Sequence, residues 1–267
     1  MDSIKHAVEL ARAAERAPVV GAAPVDSRAN FTDSTIRCVN LKDEHLQSAR
    51  IVAHGSANNE HGRYYDMLRT EVLQELDKKN WQFLAITSPT AGCGKSVTAC
   101  NLALSISRLP ERSVLLVDLD LRKPSVAKYL GVDGSGGVLS VLEGRAALSS
   151  AVLRASIGPN SLFLLPGSGA SSSSSEWMAS QTMGTLLQTI KRDFRACVVI
   201  FDLPPLLMGD DVISILPRMD AALLVTAIGS TSLADVKESQ KHLQRAPIVR
   251  VVVNKVTETP DAYYGYY

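Results

Sequence analysis

The residues best suited to chemistry lie in the segment FLAITSPTAGCGKSVTACNLALSIS, residues 83–107. An apolar run leads into Ala91, Gly92, Cys93 and Gly94, then Lys95, Ser96 and Val97, and an apolar helical pattern follows. Glycines let backbone amides approach phosphate oxygens closely. A helix beginning at Lys95 adds a partial positive charge facing the same anion. Lys95 is placed to reach β- and γ-phosphates, and the Ser96 hydroxyl to ligate Mg²⁺. The strict pattern G-x-x-x-x-G-K-[ST] fails at its first position, where Pro89 stands. The strand before and the helix after still mark residues 91–97 as a nucleotide-binding loop.

Two more apolar runs end in carboxylates. VLLVDLDLRKPS carries Asp118 and Asp120, with Arg122 and Lys123 behind them, and CVVIFDLPP carries Asp202. Phosphoryl transfer needs carboxylates to hold Mg²⁺ and to position the nucleophile. Lys95, Asp118, Asp120 and Asp202 are therefore the catalytic candidates, and Ser96, Asp118 and Asp202 the metal candidates. Arg122 joins the nucleotide-binding set, suited to a phosphate or to an interface carboxylate. Asp210 and Asp211 read as caps of the next segment. Cys93, inside the loop beside a lysine, reads either as an oxidation-sensitive switch or as a tolerated small residue.

These groups need a scaffold. Short apolar runs alternate with helical patterns from Trp81 onward, so the chain reads as α/β, a buried and mostly parallel sheet with helices on both faces. Helices are predicted at 1–17, at 64–79, from about Lys95, near 125–130, around 139–142, across 178–191 and over 234–243. Residues 18–35 read as a linker, and the five-serine run Ser171–Ser175 as a flexible loop. Three divisions follow: 1–35 as N-terminal helix and linker, 36–254 as the catalytic domain, and 255–267 as a flexible tail.

Composition removes other classes. The chain has 267 residues, a net charge of +1 and 46% hydrophobic residues. That is long enough for a sizeable core and too neutral for a nucleic-acid coat. No apolar run reaches the roughly 18–20 residues of a membrane span. The N-terminal stretch is charged and amphipathic, unlike a signal peptide, so the chain reads as cytoplasmic. Four cysteines form no Cys-x-x-Cys pair and no zinc spacing, and five histidines have no ligand-spaced partner.

Four of the seven tyrosines, Tyr263, Tyr264, Tyr266 and Tyr267, fall within five residues. A core would not gather its tyrosines there, whereas a phosphorylation substrate would. Thirteen residues separate Asn254 from Tyr267, a reach of about 45 Å when extended. That reach permits transfer between subunits. Tyr64, Tyr65 and Tyr129 lack this setting.

Taken in order, GCGKS, VDLDLRKPS, LSVLEG, LFLLPGSG, EWMASQTM, VVIFDLPP and the tyrosine cluster resemble the bacterial tyrosine kinases of exopolysaccharide biosynthesis. The resemblance implies a P-loop NTPase fold and ATP with Mg²⁺. It implies Walker A roles for Lys95 and Ser96, Walker A′ roles for Asp118 and Asp120, a Walker B role for Asp202 and an adenine-edge role for Asn254. It further implies autophosphorylation of the tail, a homo-oligomer, a transmembrane polysaccharide co-polymerase as activator and a cognate tyrosine phosphatase. Location would be peripheral, at the inner membrane face through that partner. Two positions depart from the family. Its Glu-x-x-Arg-x-x-Arg oligomerisation motif is only partly present: Arg69 fills the last position, Asp66 and Arg63 replace the others, and Glu60 with Arg63 offers a shifted version. Thr90 stands where partition and division-site ATPases carry a signature lysine. A positioning ATPase and a low-turnover nucleotide-binding scaffold are the alternative readings. An iron–sulfur carrier would need paired cysteines.

Overall fold

The computed structural model describes residues 36–52, 60–244 and 247–256. The predicted helix at 1–17, the 18–35 linker and the tyrosine tail lie outside the described residues.

The chain order is β1 (Arg37–Asn40), α1 (Asp43–Ser48), α2 (Glu60–Lys79), β2 (Phe83–Thr87), α3 (Lys95–Ser107), β3 (Ser113–Asp118), α4 (Val126–Leu130), α5 (Val138–Leu142), α6 (Leu148–Ala151), β4 (Leu153–Ile157), β5 (Asn160–Leu165), α7 (Ser174–Ala179), α8 (Gln181–Asp193), β6 (Cys197–Asp202), α9 (Asp211–Ile215), β7 (Ala221–Ala227), α10 (Leu233–Leu243) and β8 (Ile248–Asn254). One eight-stranded sheet runs β1-β4-β5-β3-β6-β2-β7-β8. Among the described residues every pairing is parallel except β4 with β5.

Strands β2, β3, β6 and β7 are apolar almost throughout because both faces are covered. Successive side chains alternate between two cores. Phe83, Ala85, Leu115, Val117, Val199 and Phe201 face α5 to α9. Leu84, Ile86, Val114, Leu116, Val198 and Ile200 face α1 to α4. Helix α3 lies deepest: every residue from Lys95 to Ser107 except Val97 is buried. This is why its sequence is apolar or small all round. Helix α2 covers it through Val72, Leu73 and Leu76.

The central elements match the sequence reading, and the differences have local causes. The segment predicted as one helix across 178–191 is two, α7 and α8, divided at Ser180. Its extended backbone (ψ 158°) breaks the ladder, and its hydroxyl caps α8 by accepting from the Met183 amide at 3.0 Å. The serine run is not all loop, since Ser174 opens α7 fully buried. Helix α2 starts at Glu60, four residues before its predicted start. Strands β1 and β4 had no counterpart in the sequence reading. They form the sheet's margin, and their polar alternation (RCVN, LRASI) hides them among loops.

Two loops at the carboxyl edge of the sheet touch backbone to backbone. The Val138 amide donates to the Pro166 carbonyl at 2.8 Å. A β-carbon on Gly137 would stand 1.8 Å from that oxygen. Gly137→Ala should therefore push the two loops apart and cost about 1–3 kcal/mol or more. Chemical denaturation checks this, and an unchanged midpoint would contradict the contact.

Candidate active site

Strand register brings the carboxylates together. β3 and β6 are parallel neighbours, and Asp118 and Asp202 are partners on their last rung. Strand spacing then sets their backbones about 4.8 Å apart. β2 lies on the far side of β6, with Ile86 opposite Asp202, and delivers the phosphate-binding loop to the same edge. This is the point where connections leave in opposite directions, to β3 on one side and to β7 on the other, and such sheets bind ligands there.

Both carboxylates are fully buried. Asp118 is held by three backbone amides: Oδ1 accepts from Asp120 at 3.2 Å, and Oδ2 accepts from Ser125 at 2.9 Å and Val126 at 3.0 Å. Burial, and then the charge of Asp202, push the Asp118 carboxyl up to about 7 against the pull of these amides. Burial also raises Asp202, while Lys95 and Ser96 lower it. The Lys95 ammonium answers the pair, lying 2.8 Å from Asp120 Oδ2 and 3.4 Å from Asp202 Oδ1. Burial works against its charge, but Asp202 and Asp120 outweigh burial and raise it to about 12.

The loop itself is set by Gly94 and Asn254. Gly94 has φ +95°, and a β-carbon there would meet Asn254 Nδ2 at 2.2 Å. Asn254 Nδ2 instead donates to the Cys93 carbonyl at 2.9 Å, and its Oδ1 accepts from the Lys255 amide at 2.8 Å. Gly92 faces open space, with nothing within 4 Å of where a β-carbon would sit. From the other side, the Leu206 and Leu207 amides donate to the Ser88 and Pro89 carbonyls at 2.8 and 3.1 Å. The loop is therefore latched at both shoulders and open over Gly92.

The structure brings Lys95, Ser96, Asp118, Asp120, Asp202 and Asn254 to one edge. Arg122 is turned to Asp211, with Nε 2.9 Å and a terminal nitrogen 2.8 Å from Oδ2. The carboxylate it meets is thus in its own chain, and Asp211 is a buried ion-pair partner as well as the first residue of α9. Cys93 is buried, its thiol donating to the Thr90 carbonyl at 3.3 Å and lying 3.4 Å from Thr231 Oγ1. That burial favours the reading of Cys93 as a small packing residue over the switch. Sequence reasoning missed Ser125, whose hydroxyl donates to Ser96 Oγ at 3.0 Å. Its signal was present: it is the last residue of VLLVDLDLRKPS, the first carboxylate motif. Thr231 gave no such signal. Asp66 and Arg69 are joined within the chain, since Asp66 accepts from Ser105 at 2.6 Å, from Arg69 at 3.2 Å and from Arg108. Arg69 also donates to the Ser105 carbonyl at 3.1 Å. The aspartate in place of the family's middle arginine thus ties α2 to α3.

A mostly parallel sheet with a glycine-lysine-serine loop and two strand-end aspartates defines a P-loop NTPase. The chain belongs to the ParA family, described as "NUBPL iron-transfer P-loop NTPase", whose model matches residues 80–259. It is similar to EpsB of Ralstonia nicotianae, 32% identical over 74% of this chain and 26% of EpsB, so it spans about a quarter of that relative. It is also similar to the tyrosine-protein kinase CpsD of Streptococcus pneumoniae, 28% identical over 76% of this chain and 89% of CpsD. Among solved structures, the VpsO kinase domain is 26% identical with a TM-score of 0.64, covering 80% of this chain and 97% of that one. The resemblance to bacterial tyrosine kinases thus holds in relatives that carry that name. The iron-transfer wording has no matching cysteine pair here: Cys93, Cys100 and Cys197 are buried and Cys38 is exposed.

The raised Asp118 carboxyl makes a stability prediction. Its folded-state affinity for a proton exceeds its unfolded one, so ionisation destabilises the fold above about pH 7 and the penalty fades as pH falls toward 4. Without metal or nucleotide, wild-type stability should fall between pH 5 and pH 8, and Asp118→Asn, which cannot ionise, should lose most of that fall whatever fixed cost its amide adds by facing a backbone N–H. Thermal unfolding at the two pH values compares the slopes, and an unchanged slope in the variant would contradict the buried repulsion.

Proposed function

We propose that the chain is an ATP-dependent protein-tyrosine autokinase that phosphorylates its own tyrosine cluster and thereby regulates exopolysaccharide polymerisation and export. The observation that carries this reading is the paired buried carboxylates beside a lysine-bearing phosphate loop, in a chain that ends in TETPDAYYGYY. Likeness to named tyrosine-protein kinases supports it.

The residues fit a nucleotide and a divalent cation. Gly92 leaves open space where a phosphate would approach, and Lys95 is already charged among carboxylates. Ser96, Asp118 and Asp202 offer the hard oxygen donors that Mg²⁺ takes. Among the described residues no three acidic, histidine or cysteine side chains could hold a metal by themselves. That agrees with Mg²⁺, which usually takes one or two carboxylates along with substrate phosphates and waters. When bound, Mg²⁺ would neutralise phosphate charge and orient the transferring group.

In this reading residues 91–97 cradle the phosphates, Lys95 contacts the β- and γ-phosphates, and Asn254 borders the base. A tail phenol attacks the γ-phosphorus. The new bond joins the tyrosine oxygen to phosphorus, the β–γ bridging bond breaks, and ADP leaves with that electron pair. Asp118 or Asp120 receives the phenolic proton. Arg122 lies at the rim of the transfer site. Residues 36–254 form the kinase domain, with 1–35 and 255–267 as appendages.

The partners in this reading are a transmembrane polysaccharide co-polymerase as activator, further copies of the chain and a tyrosine phosphatase. Membrane association would come through the co-polymerase. Among the described residues no helix is long and apolar enough to cross a membrane. A positioning ATPase is the less favoured reading. At the position of its signature lysine stands Thr90, whose carbonyl accepts from Ser88 and Cys93 within its own loop.

Two experiments test the proposal. Lys95→Met should abolish autophosphorylation and sharply weaken ATP binding, while Asp202→Asn should impair Mg²⁺-dependent transfer more than nucleotide binding. Unchanged ATP affinity of Lys95→Met by calorimetry would remove the proposed phosphate contact. Replacing Tyr263, Tyr264, Tyr266 and Tyr267 with Phe should preserve ATP binding and eliminate phosphotyrosine. Mixing that variant with Lys95→Met should then label the Lys95→Met chain. Phosphotyrosine persisting on the Phe variant would move the acceptor to Tyr64, Tyr65 or Tyr129.

A further inference from the structure

Ser125 is a serine without the task its position suggests. It stands at the N-cap of α4, where a serine hydroxyl ordinarily accepts from an amide in the first turn of the helix. Here the side chain caps nothing. The Val126 amide at that helix start goes instead to Asp118 Oδ2 at 3.0 Å. The Ser125 amide donates to the same oxygen at 2.9 Å, which fixes the residue against the carboxylate. Its hydroxyl donates to Ser96 Oγ at 3.0 Å. The two serines lie 29 residues apart, one in the first turn of α3 and the other just before α4.

A divalent cation at this edge has few carboxylate oxygens to choose from. Asp118 Oδ2 already accepts two amides, which take both its lone pairs, and Oδ1 accepts a third at 3.2 Å. Asp202 is fully buried and faces Lys95 at 3.4 Å. Mg²⁺ demands an octahedron of oxygens at about 2.0–2.1 Å, in which neighbouring oxygens are about 2.9 Å apart. The Ser96 and Ser125 oxygens, 3.0 Å apart, already have that separation. In the structure Ser96 Oγ accepts from Lys95 Nζ at 3.2 Å as well as from Ser125. A hydroxyl oxygen has two lone pairs, so Ser96 can ligate a cation only if one of these donors turns away. Ser125 can do so by rotating its O–H bond, with its oxygen left in place. The same rotation turns a lone pair of Ser125 toward the cation.

We propose that Ser125 is a further ligand of the divalent cation, its hydroxyl oxygen binding beside that of Ser96. This rests on the nucleotide-binding part of the autokinase reading and adds one residue to Ser96, Asp118 and Asp202. The hydrogen bond between the two serines then holds both oxygens at the separation a cation needs. The Ser125 carbonyl accepts from the Tyr129 amide at 3.0 Å, so the first turn of α4 is attached to the ligand itself.

The test reads nucleotide binding and not phosphoryl transfer, so it stands wherever the phosphate acceptors lie. ADP is titrated against the whole chain by calorimetry, once with Mg²⁺ and once with EDTA. Wild type should bind ADP more tightly with Mg²⁺. Ser125→Ala keeps the backbone amide that holds Asp118 and removes the hydroxyl. It should bind ADP as wild type does in EDTA, showing an intact fold and loop, and lose about tenfold of the tightening by Mg²⁺. Ser125→Cys separates ligation from positioning, because a thiol suits a soft cation such as Cd²⁺ and not Mg²⁺. That variant should lose tightening by Mg²⁺ and exceed wild type in tightening by Cd²⁺. Lys79→Cys, at the end of α2 that leads into the amino end of β2, should respond to both cations as wild type does. The proposal is overturned if Ser125→Ala keeps the full Mg²⁺ effect, or if its ADP affinity falls equally in EDTA and Mg²⁺. It is also overturned if Ser125→Cys gains no more from Cd²⁺ than Lys79→Cys. Normal Mg²⁺ coupling in wild type beside unaltered Ser125 variants would sink the ligand alone. A wild type that binds no ADP, or binds it equally with and without Mg²⁺, would sink the nucleotide reading and the ligand together.

Discussion

Asp118 and Asp202 are carboxylates that a parallel register forces side by side at the buried end of two strands. Two such charges repel and lose solvation together, so the site is stable only if a cation or a proton compensates. In the structure Lys95 supplies part of that compensation, and Asp118 holds a proton more tightly than usual for the rest. The neighbouring structure follows from this need. Backbone amides of Ser125 and Val126 turn toward Asp118, and α3 begins at the lysine itself. A site poised in this way gains most when a doubly charged cation and an anionic phosphate chain enter together. A divalent cation would relieve the carboxylates, and phosphates would give Lys95 a second anionic partner.

Positioning these groups takes the whole sheet. The alternation of side chains between two cores fixes the register of β3 against β6, because a slip of one residue would turn both faces inside out. Phe83 and Phe201 lock the adjacent strands edge to face, with ring centroids 5.1 Å apart. Stability and chemistry therefore share one determinant, and damage to core packing would also misalign the carboxylates.

The parts of the fold legible in the sequence are those whose cause is local. β2, β3, β6 and β7 are continuous apolar runs because both their faces are buried. The phosphate loop was legible because glycine, lysine and serine must follow one another for backbone amides, charge and hydroxyl to converge. β1 and β4 were not legible, because neither has a continuous apolar run, and the partner of β1 is far off in sequence. The division at Ser180 was hidden because α7 and α8 place their apolar residues on one face, so the periodicity runs through the break. Arg122 and Asp66 show a third limit. Arg122 was read as facing a ligand or an interface, and Asp66 only as a break in the oligomerisation motif, yet each has a partner in its own chain, Asp211 and Ser105, 89 and 39 residues away. No spacing rule reveals a partner of that kind.

Asn254 joins the two functional halves of the molecule. Its side chain holds the Cys93 carbonyl and so shapes the phosphate loop, while its backbone ends β8, from which the tyrosine segment departs. β8 is a marginal strand paired only with β7 in the described sheet, with Val251 and Val253 exposed. A strand with one neighbour is easier to displace than the central strands, which have two. Displacement of β8 would therefore fall first on the residue that sets the loop. A pull that shifted Asn254 would loosen the turn at Gly94, where only a residue without a β-carbon fits against its amide.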